Sequence, residues 1–268
     1  MSVVEVPKYA YCPEQHRAFR LPPGKTTIWR YLTLPKLLDL LDSRKLFFCR
    51  ASKFDDPFEG AVPKRTEEYL RSWESARVSE EVRSKHRAER KRMRSSMAIS
   101  SWHMSEHESA AMWNLYGLTH EGVAIKSTVD RLTRALPEWP KKGWQGPGAI
   151  YIGKVDYIDY STAIFDPSQS YLPYVHKRES FKHESELRAV TLINKAAGEA
   201  AASGVTTEFA VTEWGIAIPV DVCALIEGIY IAATAPGWFD RIVRASIERF
   251  GFDPNLVRKS AMAEDPIY

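Results

Sequence analysis

The chain is poor in cysteine. Cys12, Cys49 and Cys223 are all it has in 268 residues. Their spacing offers no metal-ligand pair, and an odd count does not build a disulfide framework. All three are expected to be reduced and buried, as small hydrophobes. Long apolar runs are missing too. No stretch approaches the roughly 20 apolar residues of a membrane helix, and residues 1–7 lack a basic start followed by an apolar run. A cytoplasmic protein is the expectation. Net charge is only +3, too little by itself to argue for a nucleic-acid binder. Several signatures are absent: a Walker loop, a glycine-rich dinucleotide fingerprint, a Gly-x-Ser-x-Gly elbow and a His-Glu-x-x-His pair. His103 and His107 lie four apart with no third ligand nearby, so no metal site is expected.

What is present fits a globular α+β chain. Hydrophobic residues make up 44%, enough for a core. Residues 1–25, with several prolines, read as an extended arm, and 26–268 as one domain. Thr27–Leu32 reads as a strand rich in aromatic and β-branched residues. Thr33 then caps a helix with Pro35 in its first turn and Leu37, Leu38, Leu40 and Leu41 on its apolar face. Strands are expected at 46–49, 97–102, 122–126, 149–157, 187–193, 209–220 and 226–232. Helices are expected at 64–95, 108–116 and 238–250, with a short helical segment within 174–181. Residues 136–148, 161–174 and 194–208 read as loops, and Asp221 as a cap. The strands come irregularly, with hairpin-length gaps as often as helix-length gaps. That favours a mainly antiparallel mixed sheet with flanking helices.

The helical insertion at about 64–95 is basic. From Arg77 to Arg94 it carries eight Lys and Arg against three Glu. Arg83, Arg87, Arg90 and Arg94 recur at helical spacing. They read as a solvated face, or as a docking stripe for nucleic acid or an acidic protein.

Glu184 and Glu186 are the leading catalytic candidates. Alternation along a strand would turn Glu184, Glu186 and Arg188 to one side. An arginine neighbour keeps a carboxylate ionised. Such a carboxylate can stabilise a developing positive charge, and a second one can orient a nucleophile. Arg30, in an otherwise apolar strand, needs a partner. That partner is an anionic ligand, or Asp55, Asp56 or Glu59 in a structural ion pair. Ser100 and Ser101 interrupt another strand. Asp55, Asp56, Glu59, Glu184 and Glu186 together also allow a second reading, a metal-dependent nuclease. A third reading is a non-catalytic module that binds through the basic helix.

The motifs come in a suggestive order. Trp29-Arg30-Tyr31 precedes a Leu-rich helix, then Phe54-Asp55-Asp56-Pro57-Phe58-Glu59. Ser100-Ser101-Trp102 follows, then Met112-Trp113-Asn114-Leu115-Tyr116-Gly117. Lys177 comes shortly before Glu184-Ser185-Glu186-Leu187-Arg188. This order resembles the bacterial family called domain of unknown function 2971, over roughly residues 28–262. It is also similar to the Arg-Ser-Glu pattern of ADP-ribosyltransferases. That second likeness implies a split β-sandwich acting on NAD. Arg30 would hold the NAD phosphates and Ser101 the ribose on the nicotinamide side. Glu186 would stabilise the oxocarbenium-like transition state, and Glu184 would orient the acceptor. Tyr116 or Trp113 would stack on the nicotinamide. Tyr31, Lys177 and Arg188 complete the implied cofactor-binding set. The serine motif departs from the usual Ser-Thr-Ser, and the interval from Arg30 to Ser101 is long.

Overall fold

The computed structural model describes residues 16–116, 120–137, 148–166, 169–194 and 209–263. Gly117, Cys12, nearly all of the 136–148 loop and residues 195–208 lie outside them. The fold is α+β, with helices alongside a mixed, mostly antiparallel sheet.

Thr27–Thr33 forms β1, and its aromatic and β-branched residues bury Ile28, Trp29 and Tyr31. Leu34–Ser43 forms α1, with Pro35 in the first turn where its missing N–H costs nothing. Its buried side chains are Leu37, Leu40 and Leu41. The chain then returns as β2 (Lys45–Arg50). The basic segment expected as one helix is two, α2 (Lys64–Ser75) and α3 (Glu80–Ser96). Ser79 interrupts it, because its hydroxyl accepts from the Val82 N–H and starts a new helix. β3 (Met97–Met104), α4 (Ala110–Leu115), β4 (Gly122–Thr128) and α5 (Val129–Ala135) follow.

The run expected as one strand at 149–157 serves two sheets. β5 (Tyr151–Lys154) pairs with β8 (Glu186–Leu192), whereas β6 (Asp156–Ile158) pairs in parallel with β7 (His176–Arg178). The range 174–181, expected to include a short helical segment, holds 3₁₀ turns at its two ends, Leu172–Tyr174 and Glu179–Glu184, with β7 between them. The strand expected over 209–220 is a hairpin of β9 (Ala210–Val211) and β10 (Gly215–Pro219). Thr212 closes its turn by accepting from the backbone N–H of Trp214 and Gly215. Asp221 caps α6 (Val222–Leu225) as expected, accepting from the Ala224 N–H. β11 (Gly228–Ile231), α7 (Gly237–Arg249) and β12 (Val257–Lys259) complete the described chain. Gly251 follows α7 with φ +81, where a side chain would be strained.

Ten strands join in one sheet, ordered β12-β11-β4-β1-β3-β2-β10-β9, with β8 on β3 and β5 on β8. β3 is the junction. One of its edges pairs with β8 from Met97 to His103. The other is shared: β2 takes Ala98 and Ile99, and β1 takes His103 and Met104. The sheet therefore forks at β3, leaving the middle of that edge open. Alternation along β3 sorts the two faces. Ala98 and Trp102 join the main core, with Leu187, Ile125 and Phe48. Met97 and Ile99 join a second cluster with Val190, Tyr174 and Phe19. The described part of the N-terminal arm is thus packed down, and Phe19 stacks on Tyr151.

Of the two cysteines in the described residues, neither is fully buried. Cys49 is half-buried and Cys223 exposed, so burial was expected in error for both. No described helix is long and apolar enough to cross a membrane.

Candidate active site

The fork encloses a cavity of about 490 Å³ between β1, α1, β2 and β3. That is the size of an ordinary small-ligand pocket. Arg30, Tyr31, Ser101, Tyr116, Glu184 and Glu186 all line it. They come from β1, β3, the turn after α4, and the entry to β8.

Arg30 reaches across the fork. Its guanidinium donates to Ser100 Oγ on β3 and, at 3.0 Å, to the Phe47 carbonyl on β2. It also lies 5.6 Å from the centre of the Trp102 ring. None of the described carboxylates pairs with it. Asp56 is taken by Arg178 at 2.9 Å and Glu59 by Arg188 at 2.7 Å. Burial lowers the Arg30 pKa to about 10, and the group stays cationic at neutral pH. Ser101, on the opposite face of β3 from Ser100, has a buried Oγ with no partner among the described residues. Lys36 and Lys45 also line the cavity, with Asp39 between them in sequence as a counter-charge.

The acidic end is a five-membered ion cluster. Glu186 and Arg188 alternate onto one face of β8. Arg188, fully buried, gives Nε to Glu186 Oε2 at 2.8 Å and both terminal nitrogens to Glu59 at 2.7 and 2.9 Å. Lys177 Nζ lies 2.6 Å from Glu184, 2.9 Å from Glu186 and 3.4 Å from Glu59. Burial pushes the Glu186 carboxyl upward, but Arg188 and Lys177 outweigh it and hold the pKa well below the usual range. Glu184 goes the other way. Burial, then the neighbouring Glu186, raise its pKa to about 7 against the pull of Lys177. The cause is a charge imbalance: three carboxylates share two cations, and one proton neutralises the set. Glu184 takes it, because Arg188 pairs with Glu59 and Glu186 and leaves Glu184 only its share of Lys177.

Glu184 is not on the strand. It ends the 3₁₀ stretch, and Ser185 turns the chain with φ 41 before β8 begins. The expected alternation of Glu184 with Glu186 is replaced by this left-handed corner, which still delivers both carboxylates to Lys177. His103, directly opposite Glu186 on β3, binds the Glu184 carbonyl through Nδ1 at 2.6 Å. The Glu186 backbone N–H donates to Tyr157 Oη at 2.8 Å. The pair is therefore held from β3 in its own sheet and from β6 in the other.

Other expected site residues sit elsewhere. Lys177 and Arg188 are consumed by the carboxylates and position them. Trp113 is buried behind Tyr31, ring centres 5.0 Å apart, and gives its N–H to Glu108. Tyr116 is about half exposed and lies parallel to Tyr31 at 6.5 Å, so of the two aromatics it is the one a ligand can reach. Burial and the nearby Glu186 and Glu184 raise its phenol pKa.

Glu59, expected as a metal ligand or an Arg30 partner, belongs instead to the Arg188 cluster. His103 and Cys49 also line the cavity, though neither was singled out for it. His103 carried one legible signal, a histidine ending a strand otherwise filled with core residues. The carboxylates of the nuclease reading converge only in part, and they do so on Lys177 and Arg188. Among the described residues no three His, Cys, Asp or Glu side chains are arranged to hold a metal ion.

No family model, no curated protein and no solved structure matches this chain. What the cavity does has to be read from its own groups.

Proposed function

We propose that the cavity binds NAD and breaks its nicotinamide glycosidic bond, passing the ADP-ribosyl group to an acceptor or to water. One observation supports this above the rest. A half-buried arginine and a buried serine hydroxyl, the first without an acidic partner and the second without any partner among the described residues, line one cavity with a carboxylate held ionised, each from a separate strand. The likeness to the domain of unknown function 2971 family and to ADP-ribosyltransferases belongs to the same proposal.

Each group suits one part of the reaction. Arg30 offers a planar, charged fork for a diphosphate, and Ser101 a hydroxyl for ribose. As the bond from C1′ to the pyridinium nitrogen breaks, its electron pair leaves with nicotinamide, which departs neutral. Positive charge then builds on the ribose, and the fixed Glu186 carboxylate stabilises it. The nucleophile attacks C1′ and gives its proton to ionised Glu184. Tyr116 provides an aromatic face for the nicotinamide.

Incubation of the protein with NAD should release nicotinamide, measured chromatographically, and calorimetry should register NAD binding. The reading is rejected if the protein neither binds NAD in the calorimeter nor releases nicotinamide. Arg30→Gln removes the charge that a phosphate needs. NAD binding is expected to weaken about 10- to 100-fold, the scale of a charged hydrogen bond.

The rate should also follow the Glu184 proton. With Glu184 acting as base, kcat climbs as pH rises through about 7 and then levels off. Glu184→Gln should flatten that limb. A wild-type limb surviving in this variant would place the base elsewhere.

A further inference from the structure

The α2–α3 hairpin stands apart in charge. Residues 64–96 hold eleven Lys and Arg against six Glu, a net of +5, while the rest of the chain, 26 against 28, nets −2. The hairpin also contributes little to the core. α3 buries no residue, and α2 buries only Thr66 and Glu74.

The arginine stripe of α3 is mostly spent on nearby acids. Arg83 and Arg87 both reach Glu80. Arg90 reaches Glu74 at 3.3 Å and Glu67 at 3.8 Å, which places those two glutamates on the side of α2 that faces α3. The opposite side of α2 is different. Arg65, Tyr69 and Trp73 recur at every fourth residue, and Arg77 follows in the turn beyond. Tyr69 is 53% exposed and Trp73 40%. The Arg77 guanidinium lies 5.2 Å from the Trp73 ring centre. Among the described residues neither Arg65 nor Arg77 makes an ion pair; each bonds only a backbone carbonyl, Thr162 and Trp73 respectively.

We infer that this stripe, Arg65-Tyr69-Trp73-Arg77, is a docking surface for single-stranded nucleic acid. Two part-exposed rings one turn apart, Trp73 with Arg77 against one side of it, and two arginines without acidic partners among the described residues offer stacking for consecutive bases and charge for the phosphates between them. An acidic peptide would need the cations but would leave the rings unused. Duplex nucleic acid keeps its base faces stacked inside and would use only the charge. The inference does not depend on the NAD reading.

Fluorescence anisotropy with a short labelled oligouridylate tests it, using the full chain at low and moderate salt. Binding should be tighter than to duplex DNA of equal length. Tyr69→Ala with Trp73→Ala should weaken it about tenfold or more, while Tyr69→Phe with Trp73→Phe should keep it. Arg65→Gln with Arg77→Gln should lower the slope of log affinity against log salt by about 1.4, or about 0.7 for each phosphate left without its arginine. Circular dichroism confirms that these surface variants fold. The inference is overturned by no binding at low salt, by equal binding of duplex, by indifference to loss of both rings, or by a polyglutamate peptide that competes as well as the oligonucleotide.

Discussion

Glu186→Gln is expected to cut the rate of nicotinamide release about 10²- to 10³-fold, the usual scale for removing one preorganised charge at a transition state. NAD affinity should hardly change, because in the bound substrate the positive charge sits on the pyridinium ring and reaches the ribose, where Glu186 meets it, only as the bond breaks. The variant is close in shape and keeps an oxygen for Lys177 or Arg188. A stopped release assay beside calorimetric binding separates the two effects. Release at the wild-type rate would remove Glu186 from the chemistry. Loss of binding equal to loss of rate would make it a binding residue instead.

Arg188→Met should show the largest stability effect. The side chain is wholly buried and is shared by Glu59 and Glu186. Truncating it strands two buried carboxylates with Lys177 as their remaining cation. Breaking a buried pair from one side costs about 3–5 kcal/mol, readable as a lower urea midpoint. Adding Glu59→Gln removes one stranded charge and should recover part of the loss; no recovery would mean that the two residues do not share the cluster energetically.

The same cluster fixes the pH dependence. Glu186, with its folded pKa depressed, adds stability above its unfolded value of 4.5, and this is lost as pH falls. Glu184, with its folded pKa raised to about 7, prefers its proton. It costs stability as pH rises from 4.5 toward 7. The contribution of the pair should therefore peak near the unfolded value of 4.5 and decline as pH rises toward 7, read as a falling urea midpoint over that window.

Local chemistry was legible in the sequence wherever one rule dominated. Thr33 and Pro35 announced α1, and the Leu spacing gave its buried face. β8 was readable because apolar Ala189, Val190, Leu192 and Ile193 follow Arg188, joined by the β-branched Thr191. What failed were segments whose partners lie far along the chain. Nothing between Tyr174 and Phe181 says strand; β7 exists because β6 pairs with it. The 149–157 run looks continuous, yet its two ends are claimed by different sheets.

The site shows the same division. Arg30, Ser101 and the two glutamates stood out because each is a polar intrusion beside or within an apolar strand. Glu59 did not, because its meaning depends on Arg188, 129 positions later. The left-handed corner at Ser185 was invisible for a further reason: serine carries no marked preference for it.

The open edge of β3 has a mechanical consequence. β1 and β2 each pair with that strand but share no rung with one another, so spreading or closing the two arms would rupture no backbone ladder. Arg30 is a side-chain tie across that gap, through the Phe47 carbonyl. A guest anion competing for the same guanidinium would trade against that tie, and occupancy of the cleft would then be coupled to its width.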